Sequence, residues 1–536
     1  MKTDLPKYEF LWAYLNHWVK TTPDWVALYF AGQEWTYLEL KLLVNNLVNA
    51  LLKMGLQKGD RLVTILPSRP EYLITYLAAS QLGVMVVPLD VRYKTADLRR
   101  CLGKIQPQLI VAIAQTKDYT VAEQLAQLKP ELSPTIEYYF LGAVDWGKDF
   151  SILLKGKGVL SAQAYHRRMS LESSDGSLLI FTGGTTGEPK VAQLSHRNVV
   201  SMCYHEEAFL RTQLRRLHYQ DRISSLAALP PSHVGGSVEF IFMGLLGGYQ
   251  LYFLEHWSPT KVLEMTSQFQ IPWMGAVPTM YHIVLALPEL EQYDLSNLYL
   301  LLMSGERVTE QLILDLQKRI CPHIANGYGS TEAGPELTFT LPGATAKALA
   351  NGYVGQALPT VVFKIVDEEE KVLPPLQVGE ILVKSDFTIA TYFEMPEENR
   401  VGFDAEGYCR TGDLGYLDEN GRLYLRGRKK HIIRVGSYTV MPTEVEEVAL
   451  QLPEIALAAA LGAPDALYGE VVWLFVVFHE GAALDGQILS DHLYAQLANY
   501  KVPKRIFIRP HLPTTRIGKA DRLALRQTLS ELSWSI

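Results

Sequence analysis

Between residues 61 and 89 the chain alternates an apolar run, a helical period and a second apolar run, over 61–66, 70–82 and 84–89. Short runs rich in β-branched residues on either side of a helix-length stretch predict strand, helix, strand, and strands joined by a helical crossover pair in parallel. The same grammar returns over 226–254 and continues through 273–277, 299–303 and 323–328. The expected class is α/β: a large N-terminal domain of two doubly wound layers plus a β-rich subdomain, and a small, mobile α+β C-terminal domain.

The grammar changes after about residue 351, where short strands are expected over 361–366, 379–383 and 422–426. The acidic run Asp367, Glu368, Glu369, Glu370 falls at a hairpin tip and reads as a solvated turn. Past Arg428-Lys429-Lys430 the pattern is helix over 443–452, strand over 471–478 and helix over 489–497. The boundary is placed at Lys430, giving domains over 1–429, with the β-rich part about 351–429, and over 430–536.

Composition removes several classes. Lysine and arginine number 50 against 57 aspartate and glutamate, a net charge of −7, which gives no support to a nucleic-acid coat or a polybasic membrane surface. The four cysteines, Cys101, Cys203, Cys321 and Cys409, form no CxxC pair, so neither a zinc ribbon nor a disulfide scaffold is expected. The longest charge-free apolar stretch, 240–254, is interrupted by Gly244, Gly247, Gly248 and Gln250 and falls short of the roughly 20 residues of a spanning helix. The N-terminus, MKTDLPKYEF, lacks a signal peptide's apolar region, so a cytoplasmic protein without a transmembrane segment and without nucleic-acid partners is expected.

The strongest local signal is Thr182-Gly183-Gly184-Thr185-Thr186-Gly187-Glu188-Pro189-Lys190, directly after the apolar run 178–181. Glycines let backbone N–H groups approach an anion, threonine hydroxyls add donors, and Lys190 adds a positive charge. This is phosphate-cradling chemistry. It is not a Walker A loop, which needs Gly before the lysine and Ser or Thr after it, whereas Pro189 and Val191 flank Lys190.

This segment resembles the phosphate loop of the adenylate-forming superfamily, which comprises acyl-CoA and aryl-CoA synthetases, the adenylation domains of nonribosomal peptide synthetases, and luciferases. Four further signatures follow in that family's order. Asn326-Gly327-Tyr328-Gly329-Ser330-Thr331-Glu332 is similar to NxYGxTE, and Tyr408-Cys409-Arg410-Thr411-Gly412-Asp413-Leu414 to Y[RK]TGD, with Cys409 as one extra residue. Gly427-Arg428-Lys429-Lys430 resembles the hinge, and Pro513-Thr514-Thr515-Arg516-Ile517-Gly518-Lys519 the terminal PxTxxGK.

Activating a carboxylate with ATP requires neutralised polyphosphate charge, a held nucleotide and a cation near the developing pentacovalent phosphate. Lys190 and the Thr/Gly loop suit the phosphates, Glu332 is a hard oxygen ligand for Mg²⁺, and Asp413 can accept from both ribose hydroxyls. The resemblance implies nucleotide roles for Thr331, Glu332, Asp413 and Arg428, with Tyr328 against adenine; Gly305, Glu306, Asn326 and Gly329 join the expected ATP/AMP site. It further implies that Lys519 is the adenylation lysine, carried on a small domain that swings about Lys430 between two half-reactions.

The segment Leu229-Pro230-Pro231-Ser232-His233-Val234-Gly235-Gly236 resembles the family's LPxxHxxG, which makes His233 a candidate gate beside the substrate carboxylate. Amino-acid-activating members carry an aspartate where Gly235 falls, which argues against an α-amino acid. The acyl pocket is expected from 233–240, 274–278, 303–306 and 327–329, with Gly275 and Met303 in a largely apolar lining that fits an apolar or aromatic acid, and Glu239 as the odd member that either meets a polar or cationic group on the substrate or, as is more common, is solvated or ion-paired. Two departures stand out. Gly436-Ser437-Tyr438 breaks a Gly-Gly pair common after the hinge of CoA-ligating relatives, and Ser385 replaces a glycine upstream of Thr391-Tyr392. The expected reaction is ATP-dependent formation of an acyl-AMP and then an acyl-CoA; the alternative acceptor is the phosphopantetheine of a carrier protein.

Overall fold

The computed structural model describes residues 5–182, 189–436, 438–465, 467–479, 481–513, 521, 522 and 524–526. The strand, helix, strand unit at its start is Arg61–Ile65, Pro70–Ser80 and Met85–Pro88. Proline at the first helical position presets φ, and every residue of that helix except Glu71 is buried, because the helix is packed on all sides. The two strands pair in parallel and sit centrally in an eight-stranded sheet. Leu109–Ile113, Glu137–Leu141 and Lys148–Asp149 extend it on one side; Gly176–Thr182, Lys190–Ser195 and Thr391–Tyr392 extend it on the other.

A nine-stranded sheet forms the second layer. Trp273–Ala276, Leu300–Met303 and Ile324–Ser330 are its parallel part. Six antiparallel strands continue it: Gly334–Phe339, Tyr353–Ala357, Arg422–Arg428, Cys409–Leu417, Gly379–Lys384 and Val362–Val366. The β-rich stretch after residue 351 is therefore joined by backbone hydrogen bonds to the parallel strands rather than standing as a separate sheet.

The stretch 226–254 does not share that sheet. Its strands Ser224–Ala227 and Gln250–Phe253 pair in parallel with each other, Gln250–Phe253 pairs in parallel with Val26–Phe30 on its other side, and Gln33–Thr36 closes that edge. A run of residues near the N-terminus thus supplies the partner, a long-range pairing that local periodicity does not encode. Between the two strands lie a π-helix, Gly235–Phe242, and a short α-helix, Met243–Gly247.

The C-terminal residues build a five-stranded sheet from Ile433–Val435, Tyr438–Val440, Ile455–Asp465, Gly469–Phe478 and Arg505–Ile508, with helices Pro442–Ala449 and Gly486–Gln496. It has its own apolar core, including Val445, Leu474, Val476, Leu489 and Leu493. The Arg307–Glu447 ion pair and a 2.6 Å hydrogen bond from Thr443 Oγ1 to the Arg426 carbonyl tie it to the larger part. The acidic turn is exposed, as expected of a solvated hairpin tip, and its surface ion pairs are Glu368 with Arg434 at 2.6 Å and Glu370 with Arg410 at 2.7 Å. Among the described residues no helix is long and apolar enough to cross a membrane.

Candidate active site

Asp413 and Arg428 are opposite one another in the antiparallel pair Cys409–Leu417 and Arg422–Arg428. Arg428 Nε lies 2.7 Å from Asp413 Oδ1, and the Tyr328 hydroxyl donates to Asp413 Oδ2 at 2.8 Å. Burial first, and the Asp413 charge second, push the Tyr328 phenol well above its ordinary range, so it remains a donor. Three separate sequence signatures therefore meet at one buried carboxylate. Asn326, two residues earlier on the Tyr328 strand, is buried with its side-chain oxygen unpartnered.

The second convergence lies at the strand ends of the first sheet. The register pairs Thr182 with Lys190, so the Gly/Thr segment connects two adjacent antiparallel strands. Thr182 Oγ1 donates to Glu332 Oε1 at 2.9 Å across 150 residues of chain. Lys190 Nζ stands 5.0 Å above the Tyr392 ring. Burial, with the Glu332 charge adding and Lys190 opposing, pushes the nearby Cys409 thiol up to about 12, which leaves it un-ionised and chemically inert at neutral pH. Gly183, Gly184, Thr185, Thr186, Gly187 and Lys519 lie outside the described residues.

Beside Gly329, Ser330 and Thr331 opens a cavity of about 300 Å³ at the C-terminal ends of the three parallel strands, where Ala276, Met303 and Ser330 are the final residues. Open α/β sheets place ligand crevices at that edge. His233, Gly235, Glu239, Gly275, Met303, Gly305, Gly329 and Thr331 all line it. A Cβ on Gly329 would come within 2.0 Å of the Pro335 carbonyl oxygen, so the wall requires glycine there, while one on Gly275 would come within 2.7 Å of Phe240 Cζ, a side chain that has to shift. Burial first holds the His233 imidazole below its ordinary pKa, with Asp90 opposing and Arg92 adding. Its ring has no hydrogen-bond partner among the described residues, whereas Arg92, also in the wall, is bound to Asp90 through Nε at 2.8 Å.

Two features add to the expected site. Glu306 accepts at 2.8 Å from Thr279 Oγ1 and at 3.1 Å from its backbone N–H, so one of its oxygens caps the helix Pro278–Leu285. The cavity is also more acidic than its expected segments, because Glu206 and Glu336 join Glu239 in the lining. Glu206 comes from the helix His196–Arg216, which no motif marks; Glu336 lies four residues beyond Glu332, within reach of the NxYGxTE signature. Lys430 lies in the short 3₁₀ turn Lys429–His431, next to Arg428.

The model for AMP-binding enzymes matches residues 15–393, and the model for the C-terminal domain of AMP-binding enzymes matches residues 444–519. The chain belongs to the AMP-binding enzyme family. This AMP-binding enzyme is thereby a member of the adenylate-forming superfamily. It is 30% identical over 492 residues to the putative acyl–CoA ligase YdaB of Bacillus subtilis (strain 168), covering 92% of this chain and 93% of that protein. It is 27% identical to 4-coumarate–CoA ligase 1 of Petroselinum crispum, covering 93% and 90%. Among solved structures, ATP-bound MatB from Rhodopseudomonas palustris superposes with a TM-score of 0.86 at 26% identity, over 98% of this chain and 100% of that one.

Proposed function

We propose that the enzyme is an acid:CoA ligase. A carboxylate oxygen of the acid bonds to the α-phosphorus of ATP as the bond to the β-phosphate breaks, releasing pyrophosphate. The CoA thiol, having lost its proton, then bonds to the acyl carbon, and AMP leaves. The observation that carries this reading is the Thr182–Glu332 hydrogen bond, which brings the base of the phosphate loop to the NxYGxTE motif beside a cavity sized for a small acid.

Each residue has a role in that reading. Lys190 and the Gly/Thr segment neutralise the polyphosphate, and Thr331 and His233 orient the acid's carboxylate. Asp413, already organised by Tyr328 and Arg428, accepts from the ribose hydroxyls with its remaining lone pairs. The unpartnered Asn326 oxygen suits the adenine amino group. Glu332 and the Thr182 hydroxyl are hard oxygen donors that would hold Mg²⁺, and among the described residues no cluster of three His, Cys, Asp or Glu side chains could hold a metal on its own, so the ion would arrive with the nucleotide's phosphates. When bound, Mg²⁺ supplies charge neutralisation at the leaving pyrophosphate. Lys519 would bridge the acid and the α-phosphate, and Lys430 would be the pivot of the C-terminal domain.

The named activities of the putative acyl–CoA ligase and the 4-coumarate–CoA ligase support CoA as acceptor. The break in the Gly-Gly pair at Gly436-Ser437-Tyr438 favours a second reading, transfer to the phosphopantetheine of an acyl or peptidyl carrier protein. Pyrophosphate release with Mg²⁺-ATP across aliphatic, aromatic and cyclic acids, each with and without CoA, decides between them. Multiple turnover only with CoA, with acyl-CoA identified by mass, is the expected result. Release of about one equivalent with CoA ignored moves the assignment to carrier loading.

A further inference from the structure

Glu206, Glu239 and Glu336 come from a helix, a π-helix and a strand, and all three side chains line the one cavity. Glu206 and Glu336 are each 4% exposed, yet Glu206 Oε1 and Glu336 Oε2 have no hydrogen-bond partner among the described residues. The donors their carboxylates do have are uncharged: the Glu336 backbone N–H donates to Glu206, and Ser304 to the Glu336 carboxylate. Glu239 lies over Gly235, where a Cβ would be 3.2 Å from its Oε2, and a Cβ on Gly327 would be 2.0 Å from Glu336 Oε2. Glycine at both positions leaves the carboxylates their room.

Among the described residues no cation answers them. The only basic side chains in the described lining are Arg92, which is bound to Asp90, and His233, whose imidazole is held below its ordinary pKa. Buried carboxylates without partners cost several kcal/mol, and a set retained only for packing would be expected to satisfy its oxygens internally.

We propose that Glu206, Glu239 and Glu336 form a recognition site for a protonated amine, so that the preferred acid carries an ammonium group in addition to the carboxylate that is activated. This rests on the acid-activating reading above. An ammonium presents three donors to the open oxygens, whereas a hydroxyl presents one. The group fits better than a metal ion, since no metal-holding cluster occurs among the described residues. Burial, then mutual repulsion, raises Glu206 and Glu336 well above the carboxylate range, and burial alone raises Glu239 to about 7. The empty site therefore carries protons, and arrival of an ammonium favours the ionised forms, releasing protons to solvent.

The test uses the full-length enzyme and matched acids: 6-aminohexanoate against heptanoate, 4-(aminomethyl)benzoate against 4-ethylbenzoate, and phenylalanine against 3-phenylpropanoate. ATP–pyrophosphate exchange should favour the ammonium member of at least one pair by tenfold or more in kcat/KM, and Glu336→Gln or Glu239→Gln should cut that ratio at least tenfold. Titration calorimetry of the same acids in two buffers of different ionisation enthalpy should show net proton release for the ammonium member alone. Preference for the neutral member of every pair, a ratio unchanged in both variants, or binding without proton release overturns the proposal. Proton-coupled binding of an ammonium acid with no exchange for any acid would instead sink the acid-activating reading while leaving the amine site standing.

Discussion

Thr182 and Glu332 are 150 residues apart in the chain and 2.9 Å apart in the fold. Their hydrogen bond joins the last residue of a strand in the eight-stranded sheet to the residue two beyond the end of a strand in the nine-stranded sheet. The two layers are thereby joined at the residue where the phosphate loop begins.

Glu332→Gln keeps the shape but removes the charge, and is expected to lower kcat/KM for ATP–pyrophosphate exchange by roughly 10²–10³, the scale on which one transition-state electrostatic group is felt. Thr182→Val should cost less, about tenfold, because it loses a neutral hydroxyl. Equal exchange rates for wild type and the Glu332 variant at saturating Mg²⁺ would remove the metal-holding role.

Removing the carboxylate of Asp413 strands two partners. Asp413→Ala leaves the Tyr328 hydroxyl without its acceptor and Arg428 without its counter-ion. The unfolding free energy is expected to fall by about 1–3 kcal/mol, mainly from the buried phenol, since Arg428 is half exposed. ATP affinity should fall in parallel, read by calorimetry; lost affinity with stability unchanged would show that the pair serves the ligand alone.

Glycines 275 and 329 report on space. Gly329→Ala sets a Cβ 2.0 Å from a backbone oxygen, which cannot yield as a side chain does, and soluble enzyme should be lost or destabilised by about 3 kcal/mol. Gly275→Ala meets only side chains, the ring edges of Phe240 and Trp273, so the protein should survive with a smaller cavity and a preference shifted toward shorter acids in the exchange assay.

Glu239 titrates at about 7 in the fold against an ordinary 4.5. Below pH 4.5 both folded and unfolded chains are protonated there. Between about 4.5 and 7 the unfolded chain releases the proton while the folded chain holds it, so stability falls as pH rises through that window and levels off above it. Glu206 and Glu336 face the same group and shift the same way. Urea titrations at pH 5 and pH 8 should therefore show wild type losing roughly 1–3 kcal/mol more than Glu239→Gln. A wild type that gains stability relative to the variant would contradict the burial-driven shift.

Lys519→Ala should abolish acyl-AMP formation yet largely spare thioester formation from supplied acyl-AMP, measured in two separate half-reaction assays. Loss of both to the same degree would end its assignment as the adenylation lysine.

Much of this protein was legible in one dimension because the relevant physics is local. Alternating apolar runs mark strands wherever the chain pairs with itself nearby, and the Arg61–Ile65, Pro70–Ser80, Met85–Pro88 unit follows them to within a few residues. The motifs around Thr182, Tyr328 and Asp413 are short because each is one turn or one strand end, and their chemistry was readable before any contact was known. Tertiary structure alone decided what no window of residues contains: that Val26–Phe30 pairs with Gln250–Phe253, that Asp413 is shared between Tyr328 and Arg428, and that Glu206, from a helix with no signature, shares a cavity with Glu239 and Glu336. Sequence determined which groups exist and on which elements they ride; long-range packing of two sheets and one helix decided which charges are buried together, because burial and mutual repulsion depend on spatial neighbours rather than on chain order.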